Sequence, residues 1–347
     1  MIEADTVFMK RALDQARRGA GLVSPNPMVG AILVKDGQVV GEGFHRYDSR
    51  KHSETYAIEM AGRQARGATL YCNLEPCCHH GRTPPCTDAL IEAGISRAVI
   101  ATKDPYAQVN GKGVEQLREA GIEVDVGLLE ERARKLNESY FKFVSSGRPF
   151  VHGIIEYPST PQVDWHPSSE FLEFASKYDA VMIGTRAELN RVVIDRALAR
   201  DRHRALVVVA DNTDRGLLKA LRKRVNGEFS VVPFERLPDT SETGNVLRLE
   251  DSPGYDGTEP RMKSLLVTLT RSEVTSLLLL PGLLDSSDTA FGEFDKVTLA
   301  VPSIAYEQGF STRWVFGDIE FDLEDVSIEQ AGPYTELTGY PSLQEVA

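Results

Sequence analysis

Leu74-Glu75-Pro76-Cys77-Cys78-His79-His80-Gly81-Arg82-Thr83-Pro84-Pro85-Cys86 is the stretch on which the reading of this chain turns, together with His52-Ser53-Glu54 about twenty residues before it. Pro84 and Pro85 put Cys86 in the first turn of a helix, since proline has no amide to donate and its fixed φ suits a helix start. The free amides and partial positive charge of that turn favour thiolate over thiol. His52 also stands where a helical pattern begins. One imidazole and two thiolates make a natural Zn²⁺ set, and three protein ligands leave a fourth position open, as in catalytic rather than structural sites. Glu54, two residues from a ligand, is then placed to move protons without binding metal.

Working outward, Asp5–Arg18 carries Val7, Phe8, Ala12, Leu13 and Ala16 at helical spacing, with Gly19 and Gly21 at its end. Val29–Val34 and Val39–Phe44 are β-rich runs around Asp36-Gly37, a strong hairpin signal. A helix over about His52–Ala65, a strand at Thr69–Cys72, a helix over about Thr83–Ala93 and a strand at Ala98–Thr102 follow. Gly113–Ala120 and Leu129–Val144 are read as helices around a strand at Glu123–Val126. Alternating strands and helices predict an α/β sandwich whose later strands run parallel. A break at Ser145-Ser146-Gly147-Arg148-Pro149 divides the chain into domains 1–147 and 148–347. In the second, Phe150–Ile155, Asp179–Gly184, Ala205–Ala210, Ser264–Leu269, Ser276–Leu280 and Lys296–Val301 are read as buried strands of another α/β domain.

A length of 347 residues suits two cores rather than one. The four cysteines all fall between Cys72 and Cys86, too clustered to staple a large protein, which points to metal binding in a reducing compartment. No window approaches 18 continuous apolar residues and the opening MIEADTVFMKRALDQ lacks the features of a signal peptide, so a cytoplasmic location and no membrane partner are expected. Residues 1–147 hold 19 basic and 19 acidic side chains, leaving 20 basic and 32 acidic for the remainder. Neither part has the clustered Lys/Arg of a nucleic-acid binder, and no nucleic-acid partner is expected.

Hydrolytic deamination of an aminopyrimidine needs an activated water, a proton shuttle and a pocket for the ring. A His-x-Glu element with a later Pro-Cys pair and second cysteine is the zinc-deaminase arrangement. Here eight residues rather than two separate Cys77 from Cys86, inserting a loop that carries His79, His80 and Arg82. That loop, with SPNPMVGAILVKDG (24–37), GEGFH (41–45), HSE (52–54), KDP (103–105), GKGVEQLREAGIEV (111–124) and LNESYFKF (136–143), resembles the deaminase domain of the bifunctional riboflavin-biosynthesis deaminase/reductase family over residues 5 to about 150. The resemblance implies a cytidine-deaminase-like α/β/α sandwich followed by a second α/β domain like a dihydrofolate-reductase-like reductase domain. It implies deamination of 2,5-diamino-6-ribosylamino-4(3H)-pyrimidinone 5′-phosphate, with zinc on His52, Cys77 and Cys86, Glu54 as proton shuttle, and substrate contacts at Asn26, His45, His79, Arg82 and Asp104. A guanidinium at Arg82 suits a ribose phosphate. The chain departs from the family at Ser53, usually alanine, at Cys78, usually serine, at Asp104-Pro105-Tyr106-Ala107, where Asp-Pro-Asn-Pro is usual, and in Arg46–Lys51, which lacks a common glycine.

The second domain aligns through Phe150–Ile155, YDAVMIGTRAELN (178–190), RALVVVAD (204–211) and FDKVTLAVPSIAYEQG (294–309). Where the family has Ser-Leu-Asp-Gly-Lys, this chain has Glu156-Tyr157-Pro158-Ser159-Thr160. Where it has Glu-Gly-Gly, this chain has Leu280-Pro281-Gly282-Leu283-Leu284. Glycines let backbone approach a cofactor's phosphates, and leucine and proline do not. NADPH is therefore not an expected cofactor, and the reductase-like domain is expected to be degenerate.

Plainer roles suit other residues. Cys72 is expected as a buried structural thiol, Cys78 as an inert substitution, His80 as a rim residue, and His152, His166 and His203 as core or surface histidines. Glu75 is as well suited to structure as to the active-site wall. The function expected is a deaminase in riboflavin synthesis or in a specialised pathway branching from the same intermediate, acting on a small-molecule nucleotide and assembling as a homodimer or tetramer. The competing readings are a deaminase of another purine or pyrimidine nucleotide, a bifunctional deaminase/reductase, and a non-catalytic scaffold role for the second domain.

Overall fold

The computed structural model describes residues 2–49, 51–81, 83–156, 175, 177–183, 206–210, 229–233, 261–271, 273–280, 292–303, 313–316, 319–331 and 334–343. The chain divides into two compact units, Met1–Gly147 and Arg148–Ala347.

In the first unit, α1 (Ile2–Arg17) precedes the hairpin β1 (Gly30–Lys35) and β2 (Gln38–Phe44). The turn places Asp36 and Gly37 at φ 51° and 74°, the two successive positive values that a tight twisted hairpin requires. Then come α2 (Ser53–Ala61) with a 3₁₀ turn (Gly62–Ala65), β3 (Thr69–Cys72), α3 (Cys86–Ala93), β4 (Arg97–Ile100), α4 (Lys112–Glu119), β5 (Glu123–Val126), α5 (Glu130–Leu136) and α6 (Glu138–Ser146). The sheet order is β2-β1-β3-β4-β5. β1 is antiparallel to β2 and β3, and β3, β4 and β5 run parallel.

Alternation along each strand explains the three layers. Ala31, Leu33, Leu70, Cys72, Ala98 and Ile100 pack with Ala57 and Ala61 of α2, Leu90 of α3, and Val114 and Leu117 of α4. Their neighbours Ile32, Val34, Tyr71, Val99 and Ala101 pack on the opposite side with Met9, Ala12 and Leu13 of α1 and Ala133 of α5. The expected α/β/α sandwich is thus built from strands apolar on both faces. Gly41 and Gly43 let α2 lie directly on β2, since a Cβ at either would meet the Ala57 carbonyl oxygen at 2.0 Å or the Ser53 carbonyl oxygen at 2.5 Å.

One helix expected over Leu129–Val144 is in fact two, broken at Asn137. Asn137 is buried, and its amide is engaged with the backbone of Met28. Helical periodicity gives no sign of that tertiary bond.

The second unit has a nine-stranded sheet, in the order β12-β13-β14-β11-β6-β10-β7-β8-β9. β6 (Phe150–Glu156), β7 (Ala180–Ile183), β8 (Leu206–Ala210), β9 (Phe229–Pro233), β10 (Ser276–Leu279) and β11 (Lys296–Pro302) form its parallel part. β12 (Arg313–Phe316), β13 (Ile319–Ala331) and β14 (Tyr334–Leu343) add an antiparallel part. Ser264–Leu269, expected as a strand, lies instead in α7 (Arg261–Arg271). Met262, Leu265, Leu266 and Leu269 are buried while Val267 is exposed, a helical repeat that a six-residue apolar run is too short to reveal. His152 is a fully buried core residue with partners: its Nδ1 lies 2.7 Å from the Tyr178 hydroxyl and its Nε2 lies 2.9 Å from the Thr298 hydroxyl. His166 and His203 lie outside the described residues.

Candidate metal centre and substrate site

His52 is the extended residue immediately before α2, and Cys86 is the first residue of α3, capped by Pro85. Cys77 lies on the loop between β3 and α3. One ligand atom from each of the three gathers within 4.8 Å of the others. His52 Nδ1 is 3.1 Å from Cys86 Sγ and 3.4 Å from Cys77 Sγ, and the Cys86 amide donates to Cys77 Sγ at 3.3 Å. Hydrogen bonds from Cys86 and His52 pull the Cys77 thiol down to about 4, while the shared proton pushes Cys86 up. A thiolate, an imidazole nitrogen and a second thiol converging at this separation fit a divalent metal of zinc type. Among the described residues, no other His/Cys/Asp/Glu group has this convergence.

Glu54 is one residue into α2 and buried, with Oε2 accepting from the Ser53 hydroxyl at 2.8 Å. Burial raises its pKa, opposed mainly by the adjacent His52. Ser53, which departs from the family alanine, therefore has a definite role: it orients the carboxyl.

Residues 2–102 match the model of the cytidine and deoxycytidylate deaminase zinc-binding region. The chain is 54% identical over 149 residues to riboflavin biosynthesis protein RibD of Aquifex aeolicus, covering 43% of this chain and 42% of that protein. It is 38% identical over 258 residues to RibD of a Synechocystis strain, covering 63% of this chain and 70% of that protein. The chain belongs to the RibD family. Its matches to RibD of Aquifex aeolicus and of Escherichia coli span only 42% and 40% of those proteins' lengths. Among solved structures, RibD of Acinetobacter baumannii is 28% identical with a TM-score of 0.73, covering 99% of this chain and 100% of that one. A Thermotoga maritima protein described as a diaminohydroxyphosphoribosylaminopyrimidine deaminase/5-amino-6-(5-phosphoribosylamino)uracil reductase is 28% identical with a TM-score of 0.74, covering 98% and 99%. The two-domain fold class follows from these RibD likenesses.

Of the substrate contacts expected from the resemblance, Asn26, His45, His79 and Asp104 fall on described residues and Arg82 does not. Asn26 follows the cis Ser24-Pro25 bond, and its Nδ2 is 3.1 Å from His45 Nε2. His45 Nδ1 is 3.1 Å from the Lys51 carbonyl oxygen, which can only accept, so the proton sits on Nδ1 and Nε2 takes the Asn26 amide proton. The His45 ring also stands edge-on to His52, with centroids 5.2 Å apart. Asn26, His45 and His52 are thus brought together. Asp104 Oδ1 accepts from the Tyr106 amide and from the Tyr140 hydroxyl, both at 2.9 Å. Burial lifts Asp104 to about 6 despite those two bonds.

Three polar side chains that support this region, Asn73, Asn137 and Tyr140, escaped the sequence reading, and Glu75, weighed there between wall and structure, supports it too. Asn73 Oδ1 accepts from the Gly30 amide at 2.8 Å and its Nδ2 donates to the Met28 carbonyl at 3.0 Å, while Asn137 pairs with Met28 as well, so two buried amides clamp the segment after Asn26. Tyr140 holds Asp104. Glu75 is structural: its carboxyl accepts backbone amides of Asp104 at 3.2 Å, Gly111 at 2.8 Å and Val114 at 3.1 Å. Only the buried-polar rule could have pointed to these, and burial is not visible in a lone sequence. Cys72 is a buried core thiol, and His80 is exposed. Cys78 Sγ reaches the Gln108 carbonyl at 3.7 Å. The segments on which the NADPH reading rested, 157–160 and 281–284, lie outside the described residues. Among the described residues no helix is long and apolar enough to cross a membrane.

Proposed function

We propose that this chain is a zinc-dependent hydrolytic deaminase of 2,5-diamino-6-ribosylamino-4(3H)-pyrimidinone 5′-phosphate. The observation that carries the reading is Glu54, a buried carboxyl two residues from His52 in the one His/Cys/Cys set found among the described residues. The name of the Thermotoga relative supports the substrate.

His52, Cys77 and Cys86 would hold the metal. Zn²⁺, when bound, supplies a Lewis acid that lowers the pKa of a water. Glu54 takes a proton from the attacking water and passes it to the ring nitrogen beside the amino-bearing carbon. It then takes the second proton from the hydroxyl now on that carbon and hands it to the departing amine, so that water is consumed and ammonia released as C–N is exchanged for C=O. Burial suits Glu54 to this, because it favours the protonated state through which the shuttle passes. Asn26, His45, His79, Arg82 and Asp104 would bind and orient the nucleotide. The reductase-like unit is proposed to be inactive toward NADPH, since Leu280-Pro281-Gly282-Leu283-Leu284 replaces a glycine turn. The enzyme is proposed to be cytoplasmic and homo-oligomeric.

The experiment is to follow ammonia release and NADPH oxidation by the zinc-loaded chain, beside Glu54→Gln. Ammonia from wild type, a rate roughly 10²–10⁴-fold lower for Glu54→Gln, and no NADPH consumed are the expected results. Absence of ammonia from the wild type overturns the substrate, and NADPH oxidation overturns the silent reductase.

A further inference from the structure

We propose that Tyr106 is a positioning residue of the substrate site, holding the His79 imidazole in one orientation with its Nε2–H turned to an acceptor oxygen of the nucleotide. This rests on the deaminase reading above.

The two rings meet edge to face, with centroids 5.8 Å apart and planes at 62°. Tyr106 is 38% exposed, one of the few large apolar side chains so placed among the described residues. Its backbone, in contrast, is fastened on both sides. The Tyr106 amide donates to Asp104 Oδ1 at 2.9 Å, and the Tyr106 carbonyl accepts from Val109 at 2.8 Å and Asn110 at 3.1 Å. Glu75 ties the flanking Asp104 and Gly111 amides to the strand end that leads into the Cys77 loop.

His79 supplies the second observation. Its Nδ1 is buried and has no hydrogen-bond partner among the described residues. An orphaned N–H is the rarer and costlier condition, so Nδ1 carries the lone pair and Nε2 the proton. Rotating the ring by half a turn would exchange the two nitrogens and turn the donor inward. The Tyr106 ring packs against the imidazole and opposes that rotation. Phosphate and carbonyl oxygens of the nucleotide are the acceptors of matching chemistry.

The test compares Tyr106→Leu, which removes the aromatic ring, with Tyr106→Phe, which keeps it, in the zinc-loaded full chain. Tyr106→Leu is expected to raise KM roughly three- to tenfold, the size of one neutral hydrogen bond, with kcat within about twofold. Tyr106→Phe is expected to restore wild-type KM. On a His79→Ala background, Tyr106→Leu is expected to add less than about twofold, since residues acting through one contact are not additive. Equal impairment in Phe and Leu, full additivity with His79→Ala, or a fall in kcat alone would each overturn the proposal. A readout that needs no turnover separates this from failure of the deaminase reading: in ¹⁵N-histidine protein, His79 signals, assigned by their loss in His79→Gln, are expected to show an Nε2–H tautomer that Tyr106→Leu averages. Unchanged His79 signals in Tyr106→Leu overturn the positioning role whatever the substrate.

Discussion

Asn137 Oδ1 accepts the Met28 amide at 2.8 Å while its Nδ2 donates to the Met28 carbonyl at 2.9 Å, a reciprocal pair spanning 109 residues of sequence. It joins the break between α5 and α6 to the segment that follows Asn26, and so connects the end of the first unit to the mouth of the site. Asn137→Leu leaves both Met28 groups without this partner. The expected cost is about 2–4 kcal/mol, read from the unfolding of the first unit, together with a raised KM as Asn26 loses its anchor. Unaltered stability and KM would show that Asn73 alone secures Met28.

Gly113 is required by close approach. A Cβ there would lie 2.3 Å from the Pro76 carbonyl oxygen, one residue before Cys77. Gly113→Ala therefore forces α4 and the Cys77 loop apart. Zinc affinity is expected to fall about tenfold, as for other disturbances behind a metal ligand, in competition against a chelator. Wild-type affinity would place the strain elsewhere.

Asp104 provides a pH-dependent effect whose sign follows from burial. Its carboxyl is raised from 3.8 to about 6, so the folded state binds its proton more tightly than the unfolded state does. The penalty for keeping it ionised is full above about 6 and is relieved as pH falls from there toward 3.8. Asp104→Asn is expected to stabilise the first unit at pH 7 by up to about 2–3 kcal/mol, with the gain shrinking toward pH 4, and to raise KM. A gain independent of pH would refute this origin.

His152 acts in the opposite sense in the second unit. Burial holds its pKa well below 6.5, so the unfolded chain takes up the proton first. The stability this gives is present above about pH 6.5 and is lost as pH falls below it. His152→Gln, which cannot titrate, is expected to flatten the acid limb of unfolding of that unit. An unchanged acid limb would assign it to other groups.

The order of the elements in the first unit, the break between α5 and α6 excepted, was legible in the sequence alone. The convergence of His52, Cys77 and Cys86 was legible because ligand-type residues and helix starts leave local marks: residue type, prolines and spacing. The hairpin at Asp36-Gly37 and the strands Thr69–Cys72 and Glu123–Val126 were legible for the same reason. Tertiary structure decided what no local pattern encodes. Asn137 broke a periodic helix because its amide is satisfied by Met28, and Ser264–Leu269 became helical because burial selected one face of an ambiguous apolar run. Glu75, Asn73, Ser53 and Tyr140 took their roles only when folding removed water and left their polar atoms to one another, since the cost of an unpaired buried group exists only where the chain has closed over it.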